Sequence, residues 1–286
     1  MIKMKSLTDC YELNNGVKIP CIGFGTWQTP DGDTCVAAVK EALAVGYRHI
    51  DTAAAYGNEA SVGKAIKESG IPRGDIFLTT KLWNTEHGYE TTKAAFNKSL
   101  QQLDTDYLDL YLIHWPNPKK FRDCWAEKNA ETWRAFEEFY AEGKIRAIGI
   151  SNFMSRHIEP LMETAKVIPA VNQIRLCPGE TQDDAVECSR KYNMLLQAYS
   201  PLGTGKIFDV PEVQEMAKKY NKSIAQICIR WSLQMGFLPL PKTANVSRVK
   251  ENSEVFDFEL SCDDVKLLAG LKDCCGPSSD PDTQSF

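Results

Sequence analysis

Gly46-Tyr-Arg-His-Ile-Asp51-Thr-Ala-Ala-Ala-Tyr56-Gly-Asn-Glu59-Ala-Ser-Val-Gly63 is the stretch on which the reading of this chain turns. His49–Asp51 reads as the end of a buried strand, and Asn58 as the N-cap of a helix running to about Ser69. The loop between them is short, so Asp51 and Tyr56 both stand where a strand hands over to a helix. In α/β proteins that edge carries the chemistry. An ionised Asp51 at a buried strand end is unfavourable alone, so a cation is expected beside it. A tyrosine in the same loop becomes a proton donor if that cation lowers its pKa from about 10.

The strand–loop–helix unit recurs on both sides. Residues 10–19 alternate and turn at Asn14-Asn15-Gly16, a hairpin signal. Short apolar strands are predicted at Cys21–Phe24, His49–Asp51, Ile76–Thr80, Leu108–Ile113, Ile145–Ile150, Ala170–Ile174, Leu195–Tyr199 and Leu238–Pro241. Leu108–Ile113 is almost wholly apolar, as a parallel strand covered on both faces should be. Amphipathic helices fall between the strands: the first, capped by Asp33, has apolar positions 36, 39, 42 and 43, and Gly46 closes it. This alternation predicts an α/β fold, a (β/α)8 TIM barrel formed as a single domain over residues 1–286. A doubly wound sheet is the alternative. No G-x-G-x-x-G follows a strand, because Gly23-Phe-Gly25 and Gly203-Thr-Gly205 both lack the third glycine. A dinucleotide would therefore bind without a Rossmann unit.

Bulk properties narrow the function. A net charge of −5 over 286 residues and a sequence pI near 5.5 argue against nucleic acid as a main partner. No apolar run approaches the roughly 20 residues that span a bilayer, and the first residues carry no secretory signal. A cytoplasmic, monomeric protein with a small-molecule partner, and no membrane partner, is the expectation. Its ten cysteines are scattered, with one adjacent pair at Cys274-Cys275, and neither they nor the four histidines fall into metal-binding spacing. Free thiols and no metal are expected.

Four polar groups fall at or after the ends of consecutive strands: Asp51 and Tyr56 after the second, Lys81 after the third and His114 after the fourth. A closed barrel brings those ends to one rim, so residues far apart in sequence converge. The chemistry that fits is carbonyl reduction. A hydride arriving at carbon makes the oxygen an incipient alkoxide, which needs hydrogen-bond donors and then a proton. Tyr56 supplies the proton, Lys81 lowers the tyrosine pKa, Asp51 holds Lys81 charged, and His114 orients the oxygen. Trp27, Trp83 and Trp115 form an apolar wall, so the substrate side comprises Trp27, Tyr56, Trp83, His114 and Trp115.

The second half reads as the cofactor side. Ser151, Asn152 and Gln173 suit a nicotinamide carboxamide, and Tyr199 suits stacking on its ring. The turn Ser200, Pro201, Leu202, Gly203 offers backbone N–H groups to a pyrophosphate, with Lys206 adding charge. Lys242, Thr243 and Arg248 surround the start of a short helix, a seat for a phosphate. No Asp or Glu lies between 242 and 250 to reject a 2′-phosphate. Gly25, Thr26 and Trp27, together with Asp51, complete the cofactor side.

Three stretches carry a resemblance to a known family. Gly46–Gly63 resembles the first signature of the aldo-keto reductases, which are (β/α)8 barrels that reduce carbonyls with NADPH. Arg146-Ala-Ile-Gly149-Ile-Ser151-Asn152-Phe153, and Leu240-Pro-Lys242-Thr243 followed by Arg248, Glu251 and Asn252, resemble the other two. From end to end the chain is most similar to the short prostaglandin F synthase and diketogluconate reductase branch. The resemblance implies an NADP-dependent oxidoreductase with the tetrad Asp51, Tyr56, Lys81 and His114, and adenine contacts from Glu251 and Asn252. It also implies an N-terminal hairpin closing the bottom of the barrel. One departure stands out: Leu176-Cys177-Pro178 replaces the Leu-His-Pro of many relatives and leaves the local loop contacts open. The tail, which in relatives covers the substrate mouth, is short and polar here, so an open mouth is expected. Two other functions fit the same family: a nucleotide-binding regulatory subunit, as in potassium channels, and a structural lens protein. The intact tetrad favours the enzyme; the physiological carbonyl is not legible.

Overall fold

The computed structural model describes residues 4–272, 274–276 and 278–286. Met1–Lys3 of the expected domain, and Asp273 and Pro277 of the polar tail, lie outside the described residues. The chain opens on an antiparallel hairpin, β1 (Cys10–Glu12) and β2 (Lys18–Pro20), in register Tyr11 to Ile19. Its tip reaches across the barrel floor: Asn15 Nδ2 donates to the Arg146 carbonyl, Asn14 Nδ2 to Pro169, and the Tyr11 hydroxyl to Phe237. Those acceptors lie at or just before strand starts, so the hairpin closes the bottom.

Eight parallel strands follow: β3 (Phe24–Gly25), β4 (His49–Asp51), β5 (Phe77–Leu82), β6 (Leu108–Ile113), β7 (Ile145–Ser151), β8 (Val171–Arg175), β9 (Leu195–Tyr199) and β10 (Leu238–Leu240). Each pairs with its chain neighbour from β3 to β10. The ring is completed by Gly23 N–H donating to Pro239 (3.1 Å) and Gly25 N–H donating to Pro241 (3.0 Å). Glycine is required at this seam, because a Cβ on residue 23 would lie 2.5 Å from the His49 ring and the Leu240 side chain.

The helices are α1 (Asp33–Val45), α2 (Glu59–Glu68), α3 (Tyr89–Leu103), α4 (Trp125–Ala141), α5 (Ser155–Met162), α6 (Asp183–Lys191), α7 (Pro211–Tyr220), α8 (Ile224–Gln234), α9 (Val246–Ser253) and α10 (Cys262–Ala269). Local chemistry sets their ends. Ser223 and Gln226 form a reciprocal capping box on α8, and Pro211 starts α7 with its missing N–H in the first turn. The crossing of α2 over the end of α3 depends on Gly63, where a Cβ would stand 2.4 Å from the Leu103 carbonyl oxygen. The fold is the expected (β/α)8 barrel.

Five of the eight barrel strands have limits that differ from expectation, three of them by only a residue, and the shifts in the first and third carry physical reasons. The first barrel strand starts at Phe24 rather than Cys21, because Cys21 N–H still donates back to Asp9 in the hairpin region. The third runs two residues past Thr80, because Lys81 and Leu82 pair with Leu112 and Ile113 of β6. Lys81 is therefore part of the strand and inside the barrel.

Candidate active site

Asp51 lies opposite Thr79 in the β4–β5 register, and Lys81, two residues on, shares the inward face of β5. That places the Lys81 ammonium in the barrel mouth, fully buried, with acceptors for all three of its N–H groups. It donates to Asp51 Oδ1 at 2.6 Å, to the Thr52 carbonyl at 2.8 Å and to the Tyr56 hydroxyl at 3.4 Å. The second Asp51 oxygen accepts from Gln173 Nε2 at 2.8 Å, and the same Nε2 reaches Gln197 Oε1 at 2.8 Å. A buried ion pair holds only when its remaining lone pairs and protons are satisfied, and here they are. Burial pulls the Lys81 pKa below its ordinary value while Asp51 opposes that pull.

Tyr56 differs from the sequence reading in one respect. Lys81 was expected to lower the phenol pKa, but burial, reinforced by the Asp51 carboxylate, drives it well above 10. The side chain is thus a neutral phenol whose oxygen accepts from Lys81, which leaves its proton to point elsewhere. Asn58 stands at the N-cap position of α2 as expected, but its side chain is engaged elsewhere. Its Oδ1 accepts from the Thr52 hydroxyl at 2.9 Å and its Nδ2 donates to the Thr26 and Thr29 carbonyls at 3.0 Å each. No side-chain cap bond to α2 forms. Asn58 instead ties the rim loop that carries Tyr56 to the loop after β3.

His114 follows β6, and its backbone N–H donates to the Leu82 carbonyl. Its ring stands edge-on to Tyr56 (centroids 5.8 Å) and Trp83 (5.4 Å). Nδ1 is buried without a protein partner, so the ring presents Nε2 to the cavity. Burial first, then Lys81 and His87, hold its pKa well below 6.5, so the ring is neutral. Asn152 Nδ2 donates to the His114 carbonyl at 2.9 Å, and its Oδ1 accepts from the Tyr199 hydroxyl at 2.7 Å.

A cavity of about 870 Å³ opens above these groups. Its wall includes the expected substrate-side residues Trp27, Tyr56, Trp83, His114 and Trp115. Gly25, Asp51, Ser151, Asn152, Gln173, Tyr199, Ser200, Pro201, Leu202, Lys206, Lys242, Thr243, Arg248, Glu251 and Asn252 line it too. Thr26 and Gly203 do not: the Thr26 hydroxyl donates to the Asp51 carbonyl, and Gly203 is packed beneath Cys275. Ser200, Gly203, Thr204 and Gly205 all have positive φ, curling the backbone after β9 into a tight loop. Lys242 Nζ donates to the Gln28 carbonyl across the mouth, and no carboxylate pairs with Lys242 or Arg248 among the described residues.

The open mouth is corrected by the structure. The tail folds back, and Phe286 packs against Trp83 (centroids 5.7 Å) and Trp115 (5.2 Å) as part of the cavity wall. Sequence reading also missed Gln197, Arg175 and Cys275. Gln197 had a signal, since it is a polar side chain in an apolar strand, directly opposite Gln173 in the register. Cys177, which stands in place of the usual histidine, is fully buried and bridges Glu180, with the Cys275 thiol beside it. All ten cysteines are free, and the described residues contain no cluster of three or more side chains able to hold a metal. No helix among them is long and apolar enough to cross a membrane.

Comparison with known proteins agrees with this geometry. Residues 21–273 match the aldo/keto reductase family. The chain is 45% identical over 277 residues to a glyoxal reductase of Bacillus subtilis (strain 168), covering 96% of this chain and 98% of that protein. It is 43% identical to a 9,11-endoperoxide prostaglandin H2 reductase of Trypanosoma cruzi (strain CL Brener), covering 96% and 95%. Its structure resembles that of a Bombyx mori aldo-keto reductase in complex with NADP, with a TM-score of 0.84, 34% identity, and coverage of 93% and 92%. The chain belongs to the aldo/keto reductase family.

Proposed function

We propose that this protein is an NADPH-dependent reductase of aldehydes and ketones, working as a single-domain cytoplasmic monomer with Tyr56 as proton donor. The observation that carries this reading is the fully buried Lys81 ammonium, held by Asp51 and donating to the Tyr56 hydroxyl at the cavity wall. The glyoxal reductase of B. subtilis and the NADP complex of the B. mori relative support the reaction class and the cofactor. When bound, NADPH supplies the hydride that adds to the carbonyl carbon.

The chain's own residues deal with the oxygen. Tyr56 gives its phenolic proton to the developing alkoxide, and the charge left on the phenol oxygen is met by the Lys81 N–H already aimed at it. His114 donates from Nε2 to the same oxygen and orients the carbonyl. Both donors are fixed before substrate arrives, so they need no reorganisation as charge develops. On the cofactor side, Tyr199 and Asn152 are locked together by a hydrogen bond, giving the nicotinamide an aromatic face beside a carboxamide partner. Lys242 and Arg248, with no carboxylate partner among the described residues and on either side of the start of α9, would hold the 2′-phosphate, and Glu251 and Asn252 would meet the adenine.

A nucleotide-binding subunit without catalysis would have no use for a buried ammonium aimed at a phenol. The test is loss of NADPH absorbance with a panel of aldehydes, ketones, quinones and sugars. Turnover of simple aldehydes is expected; inactivity across the panel, with NADPH bound, would establish the regulatory reading instead.

A further inference from the structure

The tail is clasped to the barrel by two carboxylates, with Asp282 at the centre of the clasp. Asp282 Oδ1 accepts from Asn117 Nδ2 at 2.7 Å and from His157 Nε2 at 2.8 Å, and Oδ2 accepts from Arg156 Nε at 2.5 Å. Arg156 Nη2 also donates to Asp280 at 2.8 Å. One member of the socket is also held from the barrel side. His157 Nδ1 accepts from the Met154 N–H at the start of α5, which fixes the proton on Nε2, facing Asp282. Burial alone would raise the Asp282 pKa, but the donors Asn117, His157 and Arg156 outweigh it and bring it to about 2. Asn117 lies three residues past His114, so the clasp joins the tail to the loop that carries the catalytic-site histidine.

What the clasp delivers is Phe286. From Asp282 the tail runs along the loop after β6, with Arg122 donating to the Gln284 carbonyl and the Lys119 N–H donating to the Phe286 carbonyl at 3.1 Å. The Phe286 ring then lies over Trp83 and Trp115 at the cavity mouth with 42% of the residue still exposed, one side on the tryptophans and the other in solvent. The substrate end is thereby walled by Trp27, Trp83, Trp115 and Phe286, with Tyr56 and His114 as its polar groups and no charged side chain among them. The whole cavity, about 870 Å³, has to admit a dinucleotide as well as the carbonyl compound.

We propose that Asp282 is the anchor of a closed aromatic wall that makes this site selective for small, neutral carbonyls, namely short-chain aldehydes and dicarbonyls, against bulky ketones. The proposal deepens the reductase reading and rests on it. Asp282 touches neither substrate nor cofactor; it is a positioning residue that acts through Phe286. Without the anchor the last residues detach, the ring leaves the tryptophans and the mouth widens on one side.

The experiment compares wild type with Asp282→Ala, Phe286→Ala and the double variant. Two measurements are made: the ratio of kcat/KM for an aryl ketone to that for a three-carbon aldehyde, and backbone hydrogen exchange in residues 278–286. Asp282→Ala should speed exchange in that segment by about tenfold or more, while Phe286→Ala leaves the clasp protected. Both single changes should raise the ratio by about tenfold or more, the scale on which a pocket senses one or two extra groups. The double variant should do no more than either alone, because both act through one ring. A ratio that does not move in Asp282→Ala, or exchange that does not change, overturns the proposal. A wild-type protein inert to every carbonyl overturns the selectivity together with the reductase reading, and exchange then still reports whether Asp282 anchors the tail.

Discussion

Replacing Lys81 by methionine probes the centre of the site through stability as well as activity. The methionine side chain fills most of the same volume but leaves Asp51, 3% exposed, with only the Gln173 amide as donor. Breaking a buried ion pair by removing one partner costs about 3–5 kcal/mol. The Thr52 carbonyl loses its donor as well, which adds about 1 kcal/mol. For a chain of this size each kcal/mol lowers Tm by roughly 2 °C, so a fall of about 8–12 °C is expected by calorimetry at pH 7. Adding Asp51→Asn should restore most of the lost stability without restoring reduction, since the second change removes the stranded charge. A loss under about 1 kcal/mol, or a double variant no more stable than Lys81→Met, would refute the view that Lys81 and Asp51 form one buried, mutually dependent pair.

Four further outcomes follow from the same geometry. Gly63→Ala should destabilise by about 1–3 kcal/mol, because its methyl meets the rigid Leu103 carbonyl at 2.4 Å; chemical denaturation reads this directly. The kcat/KM for aldehyde reduction should show no His114 inflection between about pH 6 and 9, since its pKa is held well below 6.5 and the Tyr56 pKa well above 10; an inflection near 6.5 would contradict this. Below that range, stability should fall as pH drops from about 6.5 toward 3, by up to about 1.4 kcal/mol per unit for each of His49 and His87, whose folded pKa values of about 3 mean the unfolded chain binds protons first. Lys242→Ala with Arg248→Ala should weaken NADPH far more than NADH in fluorescence titration, by roughly 1.5–3 kcal/mol per lost charged hydrogen bond; equal losses would mean the phosphate sits elsewhere.

The barrel and the convergence of Asp51, Tyr56, Lys81 and His114 at its mouth were legible because both depend on short-range pattern. Strand ends are marked where apolar runs stop, and barrel closure brings successive ends together whatever the loops do. Asp51, Tyr56, Lys81 and His114 needed nothing more. The sign of the Tyr56 pKa was not legible, since it depends on how deeply the loop is buried, and burial outweighs the neighbouring ammonium. Asn58 takes the N-cap position as read, but what its side chain does was not legible, because its partners Thr26 and Thr29 are supplied by a different loop. The tail was misjudged for the same reason: its polar composition suggested solvent, whereas each carboxylate oxygen of Asp282 has distant donors in Asn117, His157 and Arg156. Contacts of that range leave no periodicity in the chain. Gln197 could have been found, as its register partner is Gln173.

The central claim is that Tyr56 donates the proton, and Tyr56→Phe tests it most directly. The change keeps the ring and its edge-on contact with His114 and removes only the hydroxyl that Lys81 addresses. With NADPH affinity confirmed by titration, reduction of an unactivated short-chain aldehyde should fall by about 100-fold or more, the scale of a lost general acid. Combining it with Lys81→Met should cost little more, because the two groups act as one proton-donating unit. Near-normal turnover of that aldehyde by Tyr56→Phe, with NADPH bound normally, would show that another group supplies the proton.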